Sequence, residues 1–563
     1  MKTSKKVLAL LLCLALVLSL AACGGGNESS TGSSQASSSS AASSSSDAGD
    51  SEASTPDETA AGGEEGDWFA GRDFSEKMTI NLATVQLDDA KNYNDCDEFV
   101  KWWSEKFNIE WDLTSLTFEN WAERLRIWIN SDDMPEMAVW NYVHGEAVNY
   151  ADQGLVKMLP DDWKEKYPSL AKAQMDSGMA EFTEEQFGGT AYLFRPIYSN
   201  NRPADKVATH TSAYVRKDWA KAAGVEVSET MKVSELLDAA AKIKEANPGN
   251  VDNFYPIRVR TGGLMALMDF QYTYAGTSDN LPFYKGEDGQ YHWGAADQET
   301  LEALKVMQKA YKDGLIDPEF YTIQSPDDYG MFMSSGTSAI CIGEGMVGTM
   351  TDFDSHLQTD QQTNFMDAVQ VVVPLGEDGN YHAKNRTNYW GANIFSPHID
   401  DAKLDRILQM MDYSCTDYGQ LQVRCGLEGT DWQYEGEEIV SLLGEEEVLN
   451  DKYAIHPVYG NLMVLSDDFQ FLNPSFKAEL REIGKNVHVL HEKVSSEESF
   501  PSEIDWTVQL HDSQALNLAS MTYADEYAAI LVKDGDLEAN WQAWVNEKMP
   551  LIQPVLDELN AKA

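Results

Sequence analysis

Met78–Val85, MTINLATV, places apolar side chains at alternate positions, the period of a β-strand, and the pattern that follows it decides the fold. Phe99, Val100, Trp102, Trp103 and Phe107 then recur at helical spacing, and Ile109 to Leu116 reads as a second strand. Phe118, Trp121, Ala122, Leu125, Trp128 and Ile129 mark a second amphipathic helix, which the run Asn130-Ser131-Asp132-Asp133 and Pro135 should stop. Met137 to Trp140 is a third strand. A β-α-β-α-β succession predicts a parallel sheet with helices over its faces, joined by right-handed crossovers.

Downstream the pattern repeats in kind but not in sequence. Gly189 to Phe194 (GTAYLF) and Ala213 to Val215 are extended runs flanking a polar stretch, Tyr198 to Thr211. Val233, Leu236, Leu237, Ala240 and Ile243 predict a helix ending before Pro248, and Leu301, Leu304, Met307 and Tyr311 one over about 299–313. Gly286-Glu287-Asp288-Gly289 and Gly376-Glu377-Asp378-Gly379 read as hairpin turns, neither with the ligand spacing of a calcium loop. Three helical stretches close the chain: Glu479 to Glu492, Ser513 to Val532 and Leu537 to Leu559.

A chain of 563 residues is long enough for two or three domains, since single cores stop growing near ~250–300 residues. Its 42 basic and 92 acidic residues give a formal charge of −50, which argues against nucleic acid or an anionic lipid surface as partner. Upstream of the first strand, Lys2, Lys5 and Lys6 precede an apolar run from Val7 to Leu20, too short to span a bilayer that takes about 20 apolar residues. This is a signal segment. Its ending, Leu20-Ala21-Ala22-Cys23, resembles the lipobox of bacterial lipoproteins, in which Cys23 becomes the acylated N-terminus; an ordinary secretory signal with an incidental cysteine is the alternative. From Gly24 to about Gly66 the composition is Ser, Ala, Gly, Asp and Glu without an aromatic residue, a tether with a reach on the order of 35 Å. Of the remaining cysteines, Cys96, Cys341, Cys415 and Cys425, export would permit a bridge between the last two, although a fold this large does not need one.

Catalytic patterns are scarce. No HExxH and no GxSxG occurs, and with 92 carboxylates a glycosidase-like pair cannot be claimed from spacing. His488 and His491 share a helical spacing, but no third ligand completes a metal set and a solvated helix face is the expectation. Gly343-Glu344-Gly345-Met346-Val347-Gly348 fits GxGxxG between a strand (Ala339 to Ile342) and a helix. A nicotinamide or flavin site is weighed against a plainer use, backbone N–H groups offered to ligand oxygens; no cofactor is called for. Aromatic supply stands out, with 15 Trp and 24 Tyr. Trp140 and Tyr142 fall at the carboxyl end of the third strand, where open α/β sheets hold ligands, and flat indole and phenol faces stack on sugar rings. From position alone Trp140 fits core packing equally well, whereas Trp102, Trp103, Trp121 and Trp128, at helical spacing, belong to the core.

Taken in order, several local stretches resemble the extracellular solute-binding lipoproteins of carbohydrate ABC importers, in the LplA/LipO-like branch of the family 1 solute-binding proteins. Pro135 to Leu159 is similar to that family's strand and cleft loop; Gly189 to Pro196 followed by Tyr214-Val215-Arg216-Lys217-Asp218-Trp219 resembles its "lyiRkDwL" signature. Asp313-Gly314-Leu315-Ile316-Asp317-Pro318-Glu319 resembles "eGLIdPe", Phe332 to Gly345 its "f.sGkaam" strand and turn, and Gly426-Leu427-Glu428-Gly429-Thr430-Asp431-Trp432 its "GieGvdy". The resemblance implies a type II periplasmic-binding-protein fold, two α/β lobes with a hinge and an interlobe cleft, plus helical C-terminal additions. It implies no catalysis, a carbohydrate ligand, an ABC permease of two transmembrane subunits as partner, a monomer, and a place on the extracellular face of the cell membrane through the N-terminal lipid.

By the same resemblance Trp140, Tyr142 and Asp88 or Asp89 line an N-lobe cleft edge. Arg195 and Tyr198 approach the first crossing, Glu344 and Met346 lie on the C-lobe lip, and Tyr389 and Trp390 near the second crossing. The aromatic frequent in the family beside Met346 is missing here. The expected boundaries are 1–22 signal, 23–67 lipidated cysteine and tether, 68–205 first part of the N-lobe, 206–388 first part of the C-lobe, 389–428 N-lobe return and 429–563 C-lobe remainder with terminal helices. A glycan-active enzyme on the same anchor, a sensor or adhesin, and a receptor for peptides are the alternatives left open.

Overall fold

Two sheets, each with its own apolar core, organise the computed structural model, which describes residues 68–562 apart from 86, 88–91, 118–119, 141–144, 197–210, 272–282, 325–326, 383–388, 437, 445–446, 448, 454–469, 472, 495–504 and 520–522. The signal, Cys23 and the tether therefore lie outside the described residues, as do Asp88, Asp89, Tyr142 and Tyr198.

In the N-lobe, β1 (Met78–Val85) pairs in parallel with β2 (Ile109–Leu116) and β3 (Met137–Trp140), as the succession of patterns predicts. The connecting helices are Glu98–Phe107 and Trp121–Ser131. Asp97 caps the first by accepting from the Val100 N–H, and Asn108 ends it at φ 50°, its side chain donating to the Phe74 and Ser75 carbonyls. Trp103 and Trp121 are fully buried and Trp102 and Trp128 partly so, the core role expected of them. Two further strands complete the sheet: β4 (Leu193–Pro196) at its edge, and a strand that arrives only after the chain has built most of its second lobe.

That second sheet holds β5 (Thr211–Arg216), β6 (Thr230–Lys232), β9 (Ile340–Glu344) and β10 (Val369–Leu375) in the order β6-β10-β5-β9. Between them, β7 (Phe283–Lys285) and β8 (Tyr291–Trp293) form the first expected hairpin. The second, after β10, makes the turn but not the return strand. Gly376 N–H donates to the Asn380 carbonyl at 2.8 Å and Gly379 takes φ 87°, yet the next N–H, of Tyr381, donates to Val494 and the chain leaves for the N-lobe. There it enters as β11 (Tyr389–Phe395), antiparallel to both β3 and β4. The N-lobe sheet is thus mixed, in the order β2-β1-β3-β11-β4.

N-lobe packing runs further than the 389–428 expected. After the hairpin β12 (Trp432–Glu435) and β13 (Glu438–Ser441), Leu449 and Tyr453 still belong to its core; Tyr453 stacks on Phe99 at 5.4 Å and donates to buried Asp431 at 2.7 Å. The C-lobe core takes up the chain again at Phe471. Nor do the last helices serve one lobe alone. Trp506 stacks on Phe182 of the N-lobe with centroids 3.8 Å apart, while Val508 is buried in the C-lobe core and Asn149 donates to Asp512 at 3.1 Å.

Cys415 and Cys425 are not bridged; Cys425 Sγ faces Asn473 Oδ1 at 3.5 Å. His488 and His491, on the helix Ala478–Val494, are not on a solvated face but buried, because that helix is packed on its histidine side against β10, Phe471 and Tyr381. Among the described residues no group of three ligating side chains surrounds them. His491 bonds the Val487 carbonyl at 2.8 Å and faces that of Thr211, where β5 begins, and burial pushes its pKa down to about 4.

Two predictions follow from these buried groups. The unfolded chain binds a proton on this histidine near pH 6.5 and the folded one only near 4, so stability is lost as pH falls through that window. In urea unfolding, the His491→Gln variant is expected to lose about 3 kcal/mol less than the parent between about pH 7 and about pH 4. Fully buried Asp412 accepts from Trp68 Nε1 at 3.0 Å and from the Ser169 and Leu170 N–H groups at 2.7 and 3.1 Å, tying three distant segments. Asp412→Ala strands those donors and is expected to lower the unfolding free energy by about 3 kcal/mol, read in the same assay.

Candidate functional site

Strand direction gathers one edge of the N-lobe sheet. Because β1, β2 and β3 are parallel, Val85, Leu116 and Trp140 end at the same side. β11 runs the other way, with Ala392 opposite Trp140 and Phe395 opposite Met137, so its first residues, Tyr389 and Trp390, start where β3 stops. β4 is antiparallel to β11, with Pro196 opposite Tyr389, and brings Arg195 to that edge as well. The ladder is irregular between Tyr389 and Ala392, where Gly391 adopts φ 72°, a conformation that costs a side-chain-bearing residue strain; this bulge takes Trp390 out of the pairing. Four residues singled out in the sequence, Trp140, Arg195, Tyr389 and Trp390, thus share one edge through backbone register. Arg195 is half-buried.

Buried polar contacts fix that edge from below. The side chain of Gln174 donates to the Phe194 carbonyl at 2.8 Å and accepts from its N–H at 3.2 Å, holding β4 one residue before Arg195. Trp121 Nε1 donates to the Val139 carbonyl, one residue before Trp140. Arg124 donates to the Ser115 carbonyl at 3.2 Å, at the end of β2.

The C-lobe edge is formed where β9 ends against the start of β5, Glu344 opposite Thr211 and Gly343 opposite Ser212. Glu344 is exposed and Met346 half-buried, the latter in extended conformation as the residue before the helix Val347–Gln361. The Gly343–Gly348 run is no dinucleotide cradle. A Cβ on Gly343 would meet the Tyr329 hydroxyl at 2.7 Å and one on Gly345 the Ser212 hydroxyl at 2.7 Å, so both glycines serve close packing. The plainer use fails for the first helical N–H too, since Val347 already donates to Gln470 Oε1 at 2.9 Å.

Sequence reasoning missed one group at this edge. Ile257 forms an isolated parallel bridge to Ile340 of β9, and three residues on stands Arg260, whose guanidinium donates to both oxygens of Asp328 at 3.1 and 2.9 Å. Asp328 is fully buried; desolvation pushes its pKa up and Arg260 pulls it back. An arginine directly before Thr261-Gly262-Gly263, in a chain with few basic residues, was the available signal.

Connectivity relates the two edges. β4 leaves the N-lobe edge at Pro196 and β5 starts at the C-lobe edge at Thr211; β10, antiparallel to β5, also ends toward that edge before the chain reaches Tyr389. Both crossings therefore join edge to edge.

No family model matches the sequence, and no curated protein is similar to it at the level of sequence. Solved structures are similar in fold. The alginate-binding protein AlgQ2, in a crystal structure without calcium ion, matches with a TM-score of 0.62 at 16% identity over 87% of this chain and 98% of that one. The Streptococcus pneumoniae ABC-transporter substrate-binding protein FusA, in complex with kestose, gives 0.61 at 15% identity over 86% and 98%. The N-glycan transport solute-binding protein NgtS of the same organism, with Man5GlcNAc, gives 0.52 at 15% over 86% and 97%. Near-complete coverage of each, by a chain that itself forms two lobed sheets with antiparallel returns, gives the conclusion: this protein has the two-lobe α/β fold of the periplasmic-binding-protein type.

Proposed function

We propose that the protein is the substrate-binding component of an ABC importer, acylated at Cys23 on the extracellular face of the membrane, that takes up a sugar or short oligosaccharide between its lobes. The observation that carries this reading is the gathering of Trp140, Tyr389, Trp390 and Arg195 at one sheet edge, joined by two crossings to the edge bearing Glu344 and Met346. The likeness to proteins named for alginate, kestose and N-glycan ligands supports it. Asp88, Asp89, Tyr142 and Tyr198 belong to the same proposed cleft.

In this reading the aromatic rings stack on the C–H faces of the sugar and the polar groups pair with its hydroxyls. Ligand that touches both lobes binds the closed form more tightly than the open one and shifts that equilibrium by the difference. The closed form then offers both lobes to the two permease subunits and releases the sugar unchanged. No bond is broken, no cofactor is needed, and one copy of the chain suffices. Among the described residues no helix is long and apolar enough to cross a membrane, so attachment in this reading falls to the lipid.

Two experiments test it. Screening neutral and uronic oligosaccharides by thermal shift should find one that raises the melting temperature, with a gain of about 2.7 kcal/mol at a hundredfold excess over Kd; Trp140→Ala should weaken that ligand about tenfold, and unchanged affinity would move the cleft elsewhere. Cys23→Ser should release the protein from the membrane fraction into the medium; retention of the variant would refute the anchor.

A further inference from the structure

Asp505-Trp506-Thr507-Val508-Gln509-Leu510-His511-Asp512, near the end of the chain, packs on both lobes at once. Trp506–Gln509 is a single helical turn, continued by a bond from the Leu510 N–H to the Trp506 carbonyl at 3.0 Å. Positions i and i+4 of a helix share a face, and i+2 points away from it. Trp506 and Leu510 accordingly pack on the N-lobe core, while Val508 is buried in that of the C-lobe.

Polar contacts hold the segment on either side. Towards the C-lobe, buried His511 lies 3.0 Å from Glu558 through Nε2 and accepts at Nδ1 from Lys562 at 3.0 Å, both on the helix Leu537–Lys562. Asp505 accepts from the hydroxyl of Tyr291, on β8, at 3.3 Å. Towards the N-lobe, Trp506 lies flat on Phe182 at 3.8 Å and 19°, and the Phe182 ring meets Phe194 of β4 at 5.4 Å. Asn149 donates to Asp512 at 3.1 Å, both residues being exposed. The two backbones also approach closely: a Cβ on Gly145 would fall 2.6 Å from the Asp512 Cβ and 2.7 Å from its amide nitrogen. Gly145 has φ −55° and ψ −31°, which any residue adopts, so what excludes a side chain there is the facing chain and not the turn.

We propose that residues 505–512 are a strap that ties the two lobes at one separation, in addition to the crossings of the chain, and that releasing it lets the lobes move apart. The two sides are unequal. The C-lobe side is held by a core residue and a buried ring with two polar partners, whereas the N-lobe side rests on one aromatic stack, the partly buried Leu510, one exposed hydrogen bond and the Gly145 contact. The N-lobe side yields first, because exposed Asn149 and Asp512 exchange each other for water at little cost. The strap itself does not rest on the receptor reading. Within that reading, a sugar that binds the strapped arrangement finds it already populated, and if release leaves about a tenth of the molecules strapped the apparent affinity falls about tenfold.

The test is double electron–electron resonance on the whole chain carrying Cys23→Ser. One spin label sits on exposed Cys96 of the N-lobe and one on Glu245→Cys, at an exposed position of the C-lobe helix Val233–Ala246. Without sugar, the parent should give one narrow interlobe distance. Gly145→Ala, which adds only the colliding Cβ, and Trp506→Ala should lengthen and broaden it by several ångströms, and Asn149→Ala should do so by less, each with the circular dichroism of the parent. Should Trp506→Ala fail to fold, the other two variants still decide. A distance unchanged in Gly145→Ala and Asn149→Ala, or a parent distribution already as broad as theirs, would overturn the strap. Whichever sugar the thermal-shift screen finds should bind Gly145→Ala about tenfold less tightly, and equal affinity despite a longer distance would overturn the strap's part in binding. If no sugar binds, the receptor reading fails while the distances still decide the strap.

Discussion

The insertion of β11 between β3 and β4 is the constraint on which the rest of the molecule depends. Two strands with exposed rows of N–H and C=O groups are separated in the chain from the strand that satisfies both by the whole first part of the C-lobe. Ala392, Asn393 and Ile394 are fully buried in that position, so the sheet has no stable form without it. The chain must therefore leave the N-lobe, build a second sheet and come back. Because β11 enters antiparallel to its neighbours, the return lands at the edge from which the chain departed, and both connections between the lobes run from one sheet edge to the other.

Around those edges the molecule spends its buried polar groups on position. Gln174 clamps β4, Asp328 seats Arg260, and Gln470 occupies the first N–H of the helix after β9. Each is satisfied by a specific partner, which holds the two edges in place. The Trp506 stack on Phe182 and the Asn149–Asp512 bond add a contact between lobes at the end of the chain, in a segment whose neighbour Val508 is held in the C-lobe core.

Much of this was legible in advance because it is local. The strands Met78–Val85, Ile109–Leu116 and Met137–Trp140, and the helices between them, follow from side-chain periodicity and from caps such as Asp97 and Asn108. What misled was the inference from a local signal to a tertiary role. A Gly-rich strand-to-helix turn at Gly343 looked like a ligand cradle and is a packing device under Tyr329 and against Ser212. His488 and His491, polar by type, looked exposed and are enclosed by Phe471, Tyr381 and β10. The turn at Gly376 has hairpin chemistry but a partner on another helix.

The sequence by itself determined the acidic character that argues against nucleic acid as a partner, the succession of strands and helices, and the tryptophans that fill the N-lobe core, since charge, periodicity and capping act over a few residues. Only the tertiary structure decided that a late strand completes an early sheet, that Trp140, Arg195, Tyr389 and Trp390 meet at one edge, and that Arg260 rests on Asp328. Those pairings join residues far apart in the chain, where backbone hydrogen bonding and burial select the partner and no local pattern records the choice.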